Sequence, residues 1–230
     1  MCGICGALNS DSSKIIDKSI LAGMNESLFH RGPDEEGYFV KGNVGLGMRR
    51  LSIIDVKGGH QPVYSEDKTI CVVCNGEIYN YATLRTELEK RGHKFSTRSD
   101  VEVIVHLYEE DAEGFVNRLR GMFSVAIYDS KKDILLIVRD RLGIKPLYYT
   151  FQKGVFLFAS ELKAILRYPG IEKKISYEAL SDYLTYLYIP APETIYENIY
   201  KLPPAHLLIF KDKDFTLRQY WEVDYRKTKE

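Results

Sequence analysis

Apolar positions recur along this chain in short runs with the period of two that marks a β-strand, and blocks with a helical period interrupt them. The first strand is expected from Ile4 to Asn9. Asn9 to Ser13 then supply turn and N-cap residues for a helix running to about Phe29, in which Ile16, Ile20, Met24 and Leu28 recur every fourth residue. Gly32 and Pro33 end it. Short strands follow at Gly37 to Lys41, Val44 to Ile54 and Thr69 to Asn75, separated by glycine-bearing turns that signal antiparallel hairpins. Asn80 is expected to cap a second helix and Asp100 a third, with Val101, Val105 and Tyr108 on one side of the latter.

Strands return at Met122 to Tyr128, Ile134 to Val138, Leu147 to Phe151 and Val155 to Ala159, and Ser160 starts a short helix. From about Ser176 the character changes. A helix with Leu180, Tyr183, Leu184 and Leu187 leads into proline-punctuated stretches at 189–192 and 201–204, which read as a connector crossing a surface. A last hairpin, His206 to Phe210 and Phe215 to Trp221, precedes a polar tail. Runs of strands broken by blocks of helix indicate an α+β layered fold with antiparallel sheets.

With 230 residues, 45% of them hydrophobic, the chain can bury a substantial core as one large domain or a domain with an appendage. Its 32 basic residues balance 32 acidic ones and neither sign gathers in a long run, which argues against a nucleic-acid or membrane partner. No segment approaches the ~18–20 apolar residues needed to span a bilayer, and no signal peptide opens the chain, so a cytoplasmic protein is expected. In that reducing compartment the four cysteines read as thiols.

Candidate chemistry begins at Cys2. Removal of Met1, normal before a small residue, places a thiol and a free α-amino group on one residue. The amine titrates near ~7.7–8.0 and is able to accept the thiol proton. Glycines at positions 3 and 6 allow close approach to the backbone there. Four further stretches are richer in polar and glycine residues than core strands: Arg49 to Asp55, Asn75 to Asn80, Ser99-Asp100, and Arg139 to Pro146. Strand alternation sends Arg49 and Arg50 to opposite faces, so at most one lines any cavity. Read singly, Asn75-Gly76 is a hairpin turn and Ser99-Asp100 a helix cap. Taken together the residues are chemically complementary. A guanidinium suits a carboxylate, paired carboxylates suit an ammonium, and an asparagine amide beside a glycine N–H suits an oxyanion, which describes a pocket for a free α-amino acid next to a cysteine.

At this point a resemblance is evident. The motifs MCGICG at 1–6, HRGPD at 30–34, RLSIID at 50–55, NGEIYN at 75–80, the Ser-Asp pair at 99–100, RDRLGIKPLYY at 139–149 and FASELKA at 158–164 occur in the order found in class II glutamine amidotransferases. They are most similar to the glutaminase half of glutamine-hydrolysing asparagine synthetases. The resemblance implies the N-terminal-nucleophile hydrolase fold, a four-layer αββα sandwich with two antiparallel sheets. It implies an amidotransferase domain over 1–175 and, over 176–230, a connector leading towards a synthetase domain.

It further implies that Cys2 attacks the side-chain amide of glutamine, giving a thioester and ammonia, with its own amine as acid and base. Asn75 and Gly76 would form the oxyanion hole. Arg50 would hold the α-carboxylate of glutamine and Glu77 and Asp100 its α-ammonium, while the backbone of Leu51, Ser52, Ile53 and Ile54 frames the substrate. No role is derived for His30, Arg139, Asp140 or Arg141, for which a structural ion-pair network is the first expectation. Glutamine is the expected substrate, a synthetase domain in cis or in trans the expected partner, and a homodimer an allowed state.

The chain lacks the phosphate-cradling Ser-Gly-Gly loop of a synthetase half and any Walker-type loop, so no cofactor is expected here; ATP and magnesium belong to the synthetase domain. Other acceptors used by relatives, sugar phosphates or phosphoribosyl pyrophosphate, remain open, as does a non-catalytic glutamine-binding module if Met1 is retained. A four-cysteine zinc site from the two CxxC spacings is disfavoured, because a strand would aim Cys71 and Cys74 to opposite faces. No metal is expected, and the five histidines are scattered along the sequence without ligand spacing.

Overall fold

The computed structural model describes residues 1–225. Among these described residues twelve strands form two sheets, and every pairing between them is antiparallel. In chain order the elements are β1 (Gly3–Asn9), α1 (Lys18–Glu26), β2 (Glu35–Lys41), β3 (Val44–Arg50), β4 (Val63–Tyr64), β5 (Ile70–Ile78), α2 (Tyr81–Lys90) and α3 (Glu102–Asp111). There follow β6 (Gly121–Asp129), β7 (Ile134–Arg139), β8 (Tyr148–Gln152), β9 (Val155–Ala159), α4 (Leu162–Ile165), α5 (Tyr177–Tyr186), β10 (Tyr200–Lys201), β11 (His206–Lys211) and β12 (Asp214–Gln219). One sheet runs β10-β8-β9-β1-β3-β2 and the other β12-β11-β7-β6-β5-β4.

Three apolar clusters occupy the three spaces between four layers, which makes the fold an αββα sandwich. Alternation along each strand decides which side chain enters which space. On β1, Ile4 and Leu8 enter the space between the sheets, while Cys5 and Ala7 pack against Leu21, Met24 and Leu28 of the first helical layer. On β5, Cys71 and Val73 face the other sheet, whereas Val72 and Cys74 pack under α2 and α3 with Leu84, Leu88 and Ile104. The thiols of Cys5, Cys71 and Cys74 thus lie in three different layers and do not converge. Among the described residues no helix is long and apolar enough to cross a membrane.

Several elements differ from the expectation, each for a local reason. Helix α1 is shorter than expected: Asp17, not a residue in 9–13, caps it by accepting from the Ser19 N–H at 2.8 Å. Strand β3 stops at Arg50 rather than Ile54, because the Arg50 side chain collects the carbonyls of Ile54 and Asp55 and curls the following loop around itself. Strand β5 continues to Ile78, so Asn75-Gly76 lies within a strand and makes no turn. Neither side chain makes the expected capping bond, although Asn80 does hold the N-cap position of α2. Asn80 spends its amide on Arg118 and Arg120, and Asp100 accepts the Ile78 N–H at 2.8 Å while α3 begins at Glu102. The stretch after 175, read as a connector, carries α5 and then adds β10 to the first sheet and β11 and β12 to the second, with Leu202, Leu207 and Leu208 fully buried.

Candidate active site

Side chains of one parity on three strands meet at one end of the space between the sheets. Cys2 precedes β1 in phase with Ile4, Arg50 ends β3 in phase with Leu46 and Met48, and Asn75 and Glu77 continue the Cys71 and Val73 face of β5. They border a cavity of about 270 Å³, small enough to suit a single amino acid.

Cys2 is half-buried. Its sulfur accepts the Leu51 N–H at 3.4 Å and faces the Leu51 carbonyl at 3.6 Å. Burial pushes the thiol above its ordinary range, against the opposing pull of the Leu51 N–H, the N-terminal charge, Arg50 and Lys145. The Cys2 carbonyl is gripped by Arg31 Nε at 2.8 Å, and Arg31 is held in turn by Glu161 at 2.9 Å. His30 reaches the same carboxylate at 3.0 Å. The ion-pair network expected of His30 and Arg31 is therefore found, and it positions the main chain of Cys2. Met1 lies over the cavity, its Sδ 3.2 Å from the buried Lys145 Nζ.

Asn75 is buried, and neither atom of its side-chain amide has a hydrogen-bond partner. A buried amide costs roughly 1–3 kcal/mol when left unpaired. Gly76 is a requirement of packing: a Cβ there would sit 2.1 Å from the Met122 carbonyl oxygen on β6. Asp100 borders the cavity beside Glu77. Burial raises the Asp100 carboxyl, the Ile78 N–H opposes this, and the neighbouring Glu77 charge adds to it. Two carboxylates facing a cavity call for a cation.

Arg50 is buried and partly committed. Nη1 pairs with Glu35 at 3.0 Å and touches the Val56 carbonyl at 3.5 Å, and Nη2 binds the carbonyls of Ile54 and Asp55. Its Nε and the long bond to Val56 are what it has to offer a ligand. Arg49, on the other face, pairs with Glu26 and Glu36 and stacks on Phe29. Leu51, Ile53 and Ile54 line the cavity. Ser52 does not; its N–H is tied to Asp34 at 2.8 Å, which anchors the loop to the HRGPD motif.

Arg139 and Asp140 bind main chain instead of forming the expected ion pairs. Arg139 donates to the carbonyls of Lys145, Gly143 and Leu202, each at 2.7 Å, and Asp140 accepts from the N–H groups of Phe123, Leu142, Ile144 and Lys145. Together they fold the 141–145 loop so that Ile144 and Lys145 reach the cavity. Arg141 donates to the Asn117 carbonyl and stacks on Trp221. Lys145, Met122 and Gln61 also border the cavity and were not singled out from sequence. Lys145 was within a quoted motif, but nothing in its spacing told that it would be buried. Gln61 had no signal; its amide clamps both main-chain groups of Cys74, at 2.7 and 3.2 Å.

The family model described as a glutamine amidotransferase domain matches residues 1–221. The asparagine synthetase [glutamine-hydrolyzing] 1 of Bacillus subtilis (strain 168) is 39% identical over 229 residues, which is 98% of this chain and 36% of that protein. The asparagine synthetase [glutamine-hydrolyzing] 2 of the same organism is 48% identical over 185 residues, 79% of this chain and 24% of that protein. The chain thus spans about a third or less of the length of these relatives. Among solved structures, the glutamine phosphoribosylpyrophosphate amidotransferase from B. subtilis superposes with a TM-score of 0.70 at 19% identity, over 96% of this chain and 50% of that one, a likeness of fold. A match that runs through both sheets to position 221, joined to relatives this similar along nearly the whole chain, shows that the chain belongs to the class II glutamine amidotransferase domain family.

Proposed function

We propose that this chain hydrolyses glutamine to glutamate and ammonia through Cys2, and that the ammonia serves asparagine synthesis from aspartate by an ATP- and magnesium-dependent synthetase domain, in cis or in trans. The observation that carries the reading is Asn75, a buried amide with no partner, bordering one cavity with a nucleophile, an arginine and two carboxylates.

In this reading Met1 is removed, which opens the cavity and frees the Cys2 amine. The amine takes the thiol proton, and sulfur attacks the side-chain amide carbon of glutamine. The carbonyl oxygen becomes an oxyanion that accepts from Asn75 Nδ2 and the Gly76 N–H. The amine returns the proton to nitrogen, the C–N bond breaks and ammonia leaves, and the thioester remains. Water, deprotonated by the same amine, then attacks the thioester, sulfur departs and glutamate is released. The balance is glutamine plus water to glutamate plus ammonia, with no change of oxidation state.

Arg50 holds the α-carboxylate through Nε, with Glu35 tempering its charge, and Glu77 and Asp100 receive the α-ammonium. The main chain of Leu51 to Ile54 frames the substrate. The test is glutamate release by purified chain whose N-terminus is defined by intact mass. Release is expected from chain beginning at Cys2, and a loss of at least ~10³-fold in Cys2→Ala. Turnover unaffected by Cys2→Ala would overturn the mechanism, and processed wild-type chain that binds glutamine without releasing glutamate would establish a binding module instead.

A further inference from the structure

Outside the lining of the Cys2 cavity, the fold gathers two histidines and two glutamates from three separate stretches. Glu66 lies between β4 and β5, His93 follows α2, and His106 and Glu109 stand on successive turns of α3. One possible ligand atom from each lies within 4.8 Å of the other three. The histidines that looked scattered in the sequence are, at this spot, ring against ring with centroids 4.8 Å apart.

The separations have a recognisable scale. Glu109 Oε2 is 2.9 Å from His106 Nδ1 and 3.6 Å from His93 Nδ1. Glu66 Oε2 is 3.6 Å from His106 Nδ1, and Glu66 Oε1 is 3.7 Å from His93 Nδ1. A tetrahedral zinc ion with bonds of ~2.0–2.1 Å keeps its nitrogen and oxygen ligands ~3.3–3.4 Å apart along each edge. The two Glu109 separations bracket that value, and each Glu66 oxygen lies within a few tenths of an ångström of it from one histidine.

Protonation points the same way. His93 Nε2 faces Glu110 Oε1 at 3.0 Å, an outer carboxylate of the kind that fixes the tautomer of a metal-bound histidine. His106 is almost wholly buried, and its Nε2 has no hydrogen-bond partner, the nearest carboxylate being that of Glu102 at 4.0 Å. In the tautomer that carries the ring protons on Nε2, both Nδ1 atoms and both carboxylates are acceptors gathered within 4.8 Å of one another, with His106 Nδ1 2.9 Å from Glu109 Oε2. Among the described residues the only lysine or arginine side chain ion-paired to Glu66, Glu109 or Glu110 is Arg91, on Glu110; Lys94 gives Glu66 only its backbone N–H. A cation at the centre resolves this convergence.

We propose that Glu66, His93, His106 and Glu109 form a structural site for a divalent metal, and that its two nitrogens, two oxygens and tetrahedral edges select zinc. Four protein ligands leave no open position, so the ion cross-links and takes no part in chemistry. It ties the turn before β5 and the segment after α2 to α3. That segment continues through Ser96 and Thr97, both held by Glu102, to Asp100 at the glutamine cavity, so metal loading firms one wall of the active site.

The experiment uses tag-free, chelator-stripped chain carrying Cys2→Ala, which removes the competing thiol, titrated with zinc chloride against a chromophoric chelator. One zinc ion per chain is expected. His93→Ala and Glu66→Gln should each weaken it at least ~10–100-fold while keeping the far-ultraviolet circular dichroism of the parent. At about a hundredfold excess over the parent's Kd, zinc should raise the Tm of the parent by roughly 5–10 °C and that of each variant by about half as much or less. Cobalt(II) should give the intense visible bands of a tetrahedral ion in the parent alone. No bound zinc, or zinc held equally by parent and variants, would overturn the site and leave the cluster as histidine–glutamate ion pairs; a weak six-coordinate cobalt spectrum would overturn the tetrahedral geometry.

Discussion

Asn75 concentrates the chemistry proposed for this chain in one side chain. Its amide lies buried with nothing bonded to it, so Asn75→Ala removes no protein hydrogen bond and relieves a desolvated amide. Tm is therefore expected to stay level or rise slightly, while kcat for glutamate release falls ~10²–10³-fold with KM little changed, since the oxyanion exists only in the transition state. A fall in Tm of more than a few degrees with kcat intact would assign Asn75 to structure. Asp100 adds a pH dependence. Burial raises its carboxyl above the ordinary ~3.9, so in free chain it takes up a proton earlier on acidification than an exposed aspartate. An arriving α-ammonium favours the charged form, and glutamine binding then displaces that proton. KM is expected to climb as the pH falls through this raised range, and Asp100→Asn should flatten the climb while raising KM at neutral pH.

Elements, rather than single residues, hold the nucleophile still. The turn after α1 and the entry to α4 clasp the main chain at Cys2 through Arg31 and Glu161, with His30 and Lys163 on the same carboxylate. Burial pushes the Glu161 carboxyl up, but its bonds to Arg31, His30 and Lys163 outweigh this and hold it down to about 2. A depressed carboxyl stabilises the fold above its unfolded pKa of ~4.3, and that contribution is lost as the pH falls from there towards the folded value. Glu161→Gln should thus cost about 1–2 kcal/mol near neutral pH and slow turnover by loosening Cys2, with the Tm gap to wild type closing as the pH is lowered from about 5 to about 3. A gap that persisted in acid would place the loss elsewhere.

The motifs made both ends of this clasp visible in the sequence, yet not the clasp, because Arg31 and Glu161 are 130 residues apart. Strand parity admits only one of Arg49 and Arg50 to the cavity, the family resemblance points to Arg50, and apolar alternation locates ten of the strands. What periodicity could not see was competition by side chains for the backbone. Arg50 ended β3 early by collecting loop carbonyls, Asp100 left its helix for Ile78, and Asn80 kept the N-cap position of α2 but gave its side chain to Arg118 and Arg120. The His93 and His106 cluster was invisible for a similar reason, since only His106 and Glu109 share an element and packing around α3 brings Glu66 and His93 to them.

At the scale of the whole molecule, the cavity lies at one edge of the sandwich, and large apolar side chains stand exposed beside it. Ile53 and Ile144 border it with about half or more of their surface in water, and Leu142 adjoins them at 68% exposure. Such a rim suits a neighbour that covers the cavity and receives ammonia without letting it reach solvent. The relatives provide the length for one, since this chain covers only 36% of the first B. subtilis synthetase described above. The chain alone is then expected to release ammonium into bulk water in a one-to-one ratio with glutamate. ATP, magnesium and aspartate should leave that ratio and the rate of glutamate release unchanged, and no asparagine should form. Supplying ammonia directly in place of glutamine should also yield no asparagine, because the missing step is acceptor activation and not ammonia supply. Asparagine formed by this chain alone, from either nitrogen source, would overturn the division of labour and require an aspartate-activating site within these 230 residues.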